Sequence, residues 1–193
     1  MKVINKDNIN IDELVSAINA GTILVVLTDT VYGFVCDAGN QQAVEKIFEI
    51  KKRNKSETLP IFVKNMEMAK NYAEISQKQE TEIKKSWPGA VTYVLNLKNI
   101  EPRALSNLVT KKGTIAMRMP KYDLVLKILE KFKKPLAQTS ANISGTGATT
   151  EIENILKQFA GQDIIVVDAG NLPKNKPSSI IDLTKEDIKI IRN

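Results

Sequence analysis

Pro135-Leu136-Ala137-Gln138-Thr139-Ser140-Ala141-Asn142-Ile143-Ser144-Gly145-Thr146-Gly147-Ala148-Thr149-Thr150 begins as a short apolar run and passes into a series rich in hydroxyl, amide and glycine residues. A polar loop leaving a strand end is where open α/β sheets bind their ligands. Its hydroxyls and amide can donate to oxygens or accept from amines, and its small side chains let a ligand come close to backbone N–H groups. A plain Ser/Thr/Gly linker has the same composition, so this stretch alone leaves both readings open.

The flanking sequence supplies the strands and helices of an α/β domain. Asn10 can cap a first helix, with Asp12 and Glu13 in its first turn, Leu14, Ala17 and Ile18 on one face, and Gly21 just past its end. Ile23 to Leu27 reads as a buried strand, and Thr28 to Gly33 as a polar turn off it. Asn40 can cap a second helix that carries Val44, Ile47 and Phe48 and runs into Lys51-Lys52-Arg53. Leu59 to Val63, Ala90 to Leu97, Thr114 to Arg118, Ile164 to Val167, Ser179 to Leu183 and Asp187 to Ile191 read as strands. Ser76 to Ser86, Asp123 to Phe132 and Glu151 to Phe159 read as helices. Strands and helices mix without strict alternation, which predicts one domain over residues 1–193 with a mixed sheet.

Composition narrows the chemistry. The 193 residues are 42% apolar and 26% charged, ordinary for a globular protein. Only 5% are aromatic, so the core rests on Ile, Leu and Val. There is no histidine, which removes Ser-His-Asp and Cys-His catalysis and histidine-metal sites. The lone Cys36 can form neither an internal disulfide nor a metal cluster, and reads as a small buried residue. A net charge of +6 suits an anionic partner such as a nucleotide, phosphate or nucleic acid, although a lysine-rich solvated surface also explains it. Met1 to Asp7 lacks a signal-peptide core, and no apolar run approaches the ~20 residues that span a bilayer. A cytoplasmic protein with no membrane association is expected.

Several polar segments fall at strand or helix ends. Thr28-Asp29-Thr30-Val31-Tyr32-Gly33 places two hydroxyls around a carboxylate, a pattern that a simple Asx turn also produces. Lys51 and Arg53 close a helix. Their i, i+2 spacing puts them on different sides of an ideal helix, yet both could reach one anion if the helix ends there. Cations favoured by the helix dipole are the simpler account. Arg118, closing an apolar strand, could clamp a carboxylate or phosphate. Ser178-Ser179 and Arg192 are weaker signals. The phosphate-binding patterns G-x-x-x-x-G-K-[ST] and G-x-G-x-x-G are both missing, so any ATP site must use another geometry.

Taken in order, Thr28-Asp29-Thr30-Val31-Tyr32-Gly33, Lys51-x-Arg53, Trp87-Pro88-Gly89, Ala116-Met117-Arg118-Met119-Pro120, Thr139-Ser140-Ala141-Asn142-Ile143-Ser144-Gly145 and Pro177-Ser178-Ser179-Ile180 make a specific set. The chain resembles the YrdC/TsaC family, the threonylcarbamoyl-AMP synthases, from about Asp12 to Arg192, in the short form without a C-terminal extension. The resemblance implies a twisted mixed β-sheet flanked by helices around a large basic concavity. It implies that L-threonine, bicarbonate and ATP give L-threonylcarbamoyladenylate and pyrophosphate, for the t6A modification at adenosine 37 of tRNA. Mg²⁺ would be carried in with ATP, with no metal held by the protein itself. Implied partners are tRNA and the downstream threonylcarbamoyl-transfer machinery.

Position by position, the resemblance assigns L-threonine to Thr30, Arg118, Ser140 and Ser178. It assigns ATP to Lys51, Arg53, Thr114, Asn142, Thr150 and Arg192, with Lys51 and Arg53 as the catalytic pair that neutralises phosphates. The chain departs from the family pattern at Leu27, often proline; at Glu57, often lysine or asparagine; at Phe62, histidine in some relatives; and at Trp87-Pro88-Gly89-Ala90. Two other readings stand beside the synthase. One is a non-catalytic binder of double-stranded RNA or tRNA, motivated by net charge and the pairs Lys84-Lys85 and Lys133-Lys134. The other is a carbamoyl-adenylate module like that of hydrogenase-maturation carbamoyltransferases, which would need carbamoyl phosphate.

Overall fold

The computed structural model describes residues 1–101, 104–171 and 177–192. In chain order these form β1 (Lys2–Asn5), α1 (Ile11–Asn19), β2 (Ile23–Val26), β3 (Gly33–Asp37), α2 (Gln41–Lys51), β4 (Ile61–Phe62), α3 (Met66–Tyr72), β5 (Ala73–Glu74), α4 (Gln77–Lys84), β6 (Val91–Leu97), β7 (Thr110–Lys111), β8 (Thr114–Arg118), α5 (Asp123–Phe132), β9 (Leu136–Ser140), α6 (Ile152–Gln158), β10 (Ile164–Asp168), β11 (Ser179–Asp182) and β12 (Lys189–Arg192). All twelve strands belong to one mixed sheet, ordered β1-β10-β2-β3-β9-β4-β8-β6-β11-β12, with β5 on β6 and β7 on β8. Parallel pairs (β1 with β10, β10 with β2, β4 with β8, β6 with β11) are set among antiparallel ones.

The helix starts follow the expected capping chemistry. Asn10 accepts from the Asp12 N–H and Asn40 from the Ala43 N–H, each satisfying a donor that the first helical turn leaves free. Ser76 and Gln79 form a reciprocal capping box on α4. Five elements were not anticipated: β1, β3, α3 and the two-residue strands β5 and β7. β3 is a five-residue run between a turn and a helix cap, and only its pairing with β2 and β9 defines it. α3 fully buries only Ala69, so it carries no apolar stripe to read. β1 is a mostly exposed edge strand.

The sheet sorts its side chains by strand alternation. On one face Ile23, Val25, Phe34, Cys36, Tyr93, Leu95, Ile115, Met117 and Ala137 join a core completed by α2, α4 and α6. On the other, Leu24, Val26, Val35 and Leu136 pack beneath Leu14, Val15 and Ile18 of α1 and Val125, Ile128 and Leu129 of α5. β2 is therefore apolar at every position because both of its faces are covered. Cys36 is fully buried, and burial raises its thiol pKa, consistent with a packing role. Helices α1 and α5 cover only part of the second face. Farther along it, over β8, β6 and β11, the inward positions become Ala116, Arg118, Thr92 and Ile180, and they line a cavity. Among the described residues, no helix is long and apolar enough to cross a membrane.

Candidate functional site

The cavity encloses about 420 Å³, within the size range of small-ligand sites. Its wall draws on distant parts of the chain: Thr30 from the loop after β2, Arg53 from beyond α2, Arg118 from β8, Ser140 and Asn142 from the end of β9, Ser178 before β11 and Arg192 from β12. Buried polar side chains concentrate here. Apart from Ser106, each buried polar or charged residue among the described ones lines the cavity or hydrogen-bonds to one that does. Polar groups cost free energy to bury unless they are paired, so such a concentration is unusual in a core.

The Thr28–Gly33 loop is held by its own first residue. Thr28 Oγ1 accepts from the N–H groups of Thr30 and Val31 and donates to Val31 O. Tyr32 anchors the far side, donating its hydroxyl to Gly170 O and accepting from Ala169 N–H. This presents Thr30 to the cavity and turns Asp29 toward β8. Arg118, almost fully buried, donates Nη2 to Asp29 Oδ1 at 2.6 Å, Nε to Gly89 O at 2.9 Å and Nη1 to Thr30 Oγ1 at 3.4 Å. Its guanidinium sits 5.8 Å from the centre of the Phe62 ring. Phe62 is buried beneath that cation and offers the cavity no hydrogen-bonding group. The Trp87-Pro88-Gly89 segment contributes the carbonyl that orients Arg118 Nε.

Helix α2 ends on Lys52 in the left-handed region (φ 51°, ψ 39°), and the Arg53 N–H folds back onto Phe48 O. That reversal separates the two cations around it. Arg53 enters the cavity, where Nη2 meets Glu57 Oε2 at 2.8 Å and Thr58 O at 3.1 Å, and Nη1 lies 3.4 Å from Thr139 Oγ1. Its Nε is buried without an acceptor among the described residues. Lys51 turns the other way. Its ammonium bonds to Ser140 O, Asn142 O and Asn142 Oδ1, which places it behind the loop and outside the cavity lining that Arg53 enters.

At the far wall, Arg192 donates Nε and Nη2 to Ser178 O at 3.0 and 2.6 Å. Ser178 Oγ lies 3.1 Å from Thr92 Oγ1. Burial, then the fields of Arg118 and Arg53, push the Arg192 pKa down, so Arg192 senses the other two guanidiniums across the space. Gathering like charges costs energy that an anion repays. Thr114 and Thr150 stand outside the lining. Thr114 lies two residues along β8 beyond Ala116 with its hydroxyl on Lys111 O, and Thr150 lies in the stretch leading to α6. Sequence reasoning assigned no role to Asp29, Thr92 or Thr139. Asp29 and Thr139 stood inside quoted motifs. Thr92 carries no motif, and only its pairing with Ser178 reveals it.

The family model described as telomere recombination (Sua5, YciO, YrdC) matches residues 16–193. A threonylcarbamoyl-AMP synthase of Pyrococcus abyssi is 34% identical over 87% of this chain and 49% of its own length. A threonylcarbamoyl-AMP synthase of Photobacterium profundum is 30% identical over 93% of this chain and 97% of its own. The solved structure of P. abyssi Sua5 complexed with L-threonine superposes with a TM-score of 0.89 at 31% identity, covering all of this chain and 57% of that one. The chain thus spans about half the length of the archaeal relative and nearly all of the bacterial one.

Proposed function

This chain belongs to the Sua5–YciO–YrdC family, and we propose that it is a threonylcarbamoyl-AMP synthase, joining L-threonine, bicarbonate and ATP into L-threonylcarbamoyladenylate with release of pyrophosphate. One observation carries the reading. Arg53, Arg118 and Arg192, from three separate segments, converge with the Ser140–Asn142 turn on one cavity otherwise lined by hydroxyls, Gln138 and apolar groups.

The chemistry asks for positioning more than for a protein nucleophile. The threonine ammonium and bicarbonate condense to a carbamate, with loss of one water and one proton to solvent. A carbamate oxygen attacks the α-phosphorus of ATP, and the bond to the β-phosphate oxygen breaks as pyrophosphate leaves. Holding two anions in line and stabilising charge on the phosphates supplies most of such a rate enhancement. No imidazole is needed. Arg118 takes the threonine carboxylate, with its Nε and one Nη already oriented by Gly89 O and Asp29, while Thr30 and Ser178 offer hydroxyls nearby. Arg53 and Arg192 face the triphosphate and Asn142 completes its cradle, while Ser140 adds a hydroxyl on the threonine side. Mg²⁺ travels with the triphosphate, held by phosphate oxygens and water. The product is a reactive mixed anhydride, consumed by acyl transfer toward adenosine 37 of tRNA.

Pyrophosphate release, followed with threonine and bicarbonate omitted in turn, tests the reading. Release should need both, and mass analysis should find the adenylate. Release that ignores threonine would overturn it.

A further inference from the structure

We propose that Lys51 is a positioning residue, the internal core around which the Ser140–Thr146 loop is wound, and that it acts on a bound triphosphate only through that loop. The bonding capacity of the ammonium decides this. A lysine ammonium has three N–H donors and no acceptor. Three acceptors meet it: Ser140 O at 2.6 Å, Asn142 O at 2.7 Å and Asn142 Oδ1 at 3.2 Å. None of its donors remains for a phosphate oxygen, and the side chain is only 2% exposed.

The clasp is two-sided. The Lys51 carbonyl accepts the Ser144 N–H at 2.8 Å, so backbone and side chain grip opposite parts of one loop. Asn142 is oriented as a consequence. Its Oδ1 also receives the Ser140 hydroxyl at 2.6 Å, and its Nδ2 donates to Ile143 O at 2.9 Å and Thr146 O at 2.5 Å. The two side chains that edge the cavity here, Ser140 and Asn142, therefore take their directions from a cation behind them. Gln138 to Thr150 contains no charged residue, so the loop offers Lys51 only neutral acceptors. The charges acting on it are Arg53, which opposes the ammonium, and Glu57, which favours it. A neutral amine would keep two donors and leave one loop acceptor unmet.

The loop role stands on geometry alone, whereas its consequence for ATP rests on the synthase reading. Amide hydrogen exchange on the ligand-free protein separates the two. In Lys51→Met, exchange at Asn142, Ser144 and Thr146 should rise by about ten-fold or more, with Lys51→Arg closer to wild type and Arg53→Ala unchanged. The ATP concentration for half-maximal rate should rise in Lys51→Met, and adding Asn142→Ala should cost little more, because the two changes disable one unit. Unchanged exchange in a folded Lys51→Met protein overturns the proposal. Should that variant not fold, amine acylation of the wild-type protein decides. Lys51 unreactive with and without ATP supports the assignment, and Lys51 reactive alone but shielded by ATP overturns it. Faster loop exchange in a protein that fails the substrate-omission assay would keep the clasp and remove the synthase.

Discussion

Arg118 and Arg53 line the same cavity yet carry different structural loads. Arg118 is 3% exposed and pairs with Asp29, itself only 13% exposed. Truncating it leaves the Gly89 carbonyl without its donor and the mostly buried Asp29 with only the Lys121 N–H and no countercharge. Arg118→Ala should lose about 3 kcal/mol of stability, read by urea denaturation. It should also raise the threonine KM by about 10- to 100-fold while moving the ATP KM little. Arg53 pairs with Glu57, whose side chain is 58% exposed, so Arg53→Ala should cost less than about 1 kcal/mol. Its turnover should nevertheless fall by about 100- to 1000-fold in the pyrophosphate assay. Lys51 adds a pH signature. Burial, with Arg53 next, lowers its ammonium from 10.5 to about 7. Between those limits the unfolded chain holds a proton that the folded one releases, so this group's burial penalty is full below pH 7 and fades as pH rises toward 10.5. Stability should therefore climb more steeply with pH in the wild type than in Lys51→Met, measured by denaturant titration from pH 7 to 10. The arginines were legible as candidates from their places at element ends. The opposite fates of Lys51 and Arg53 were not, because they depend on Lys52 adopting φ 51°.

At the scale of the element, legibility followed local physics. Helices with an apolar stripe, such as α1 and α2 with their asparagine caps and the uncapped α5, could be bounded within a residue or two. Elements defined by partners, such as β3 and the two-residue β7, could not. α5 shows where local sequence is not optimal. It ends on Lys133 at φ 62°, a conformation that costs a side-chain residue more than glycine. Lys133→Gly should stabilise the protein by about 0.5–1 kcal/mol, a rise of roughly 1–4 °C in Tm by calorimetry, without altering turnover. The clearest element-level signal of function lay in β8 and β9. Each carries core residues on one face (Ile115, Met117, Ala137) and cavity residues on the other (Ala116, Arg118, Gln138, Ser140).

In the whole molecule, the site exists because one face of a long sheet is covered by helices along only part of its width. Its far wall is β12, an edge strand exposed at all four positions and, among the described residues, paired only with β11. Arg192 reaches from that edge to Ser178 and into the cavity. A triphosphate bridging Arg53 and Arg192 would tie the edge to the body. Saturating ATP should slow amide exchange in Lys189–Arg192, and Arg192→Ala should abolish the effect; unchanged exchange would remove Arg192 from the ATP site. The amino-acid sequence by itself determined the α/β class, the capped helices, the absence of histidine chemistry and an ordered set of polar turns, since each follows from neighbouring residues and their periodicity. Only the tertiary structure decided that Arg53 faces the cavity while Lys51 clasps the loop from behind, that Asp29 anchors Arg118, and that Thr114 and Thr150 fall outside the wall. Those outcomes depend on strand register and on contacts between residues more than eighty positions apart, which no local pattern encodes.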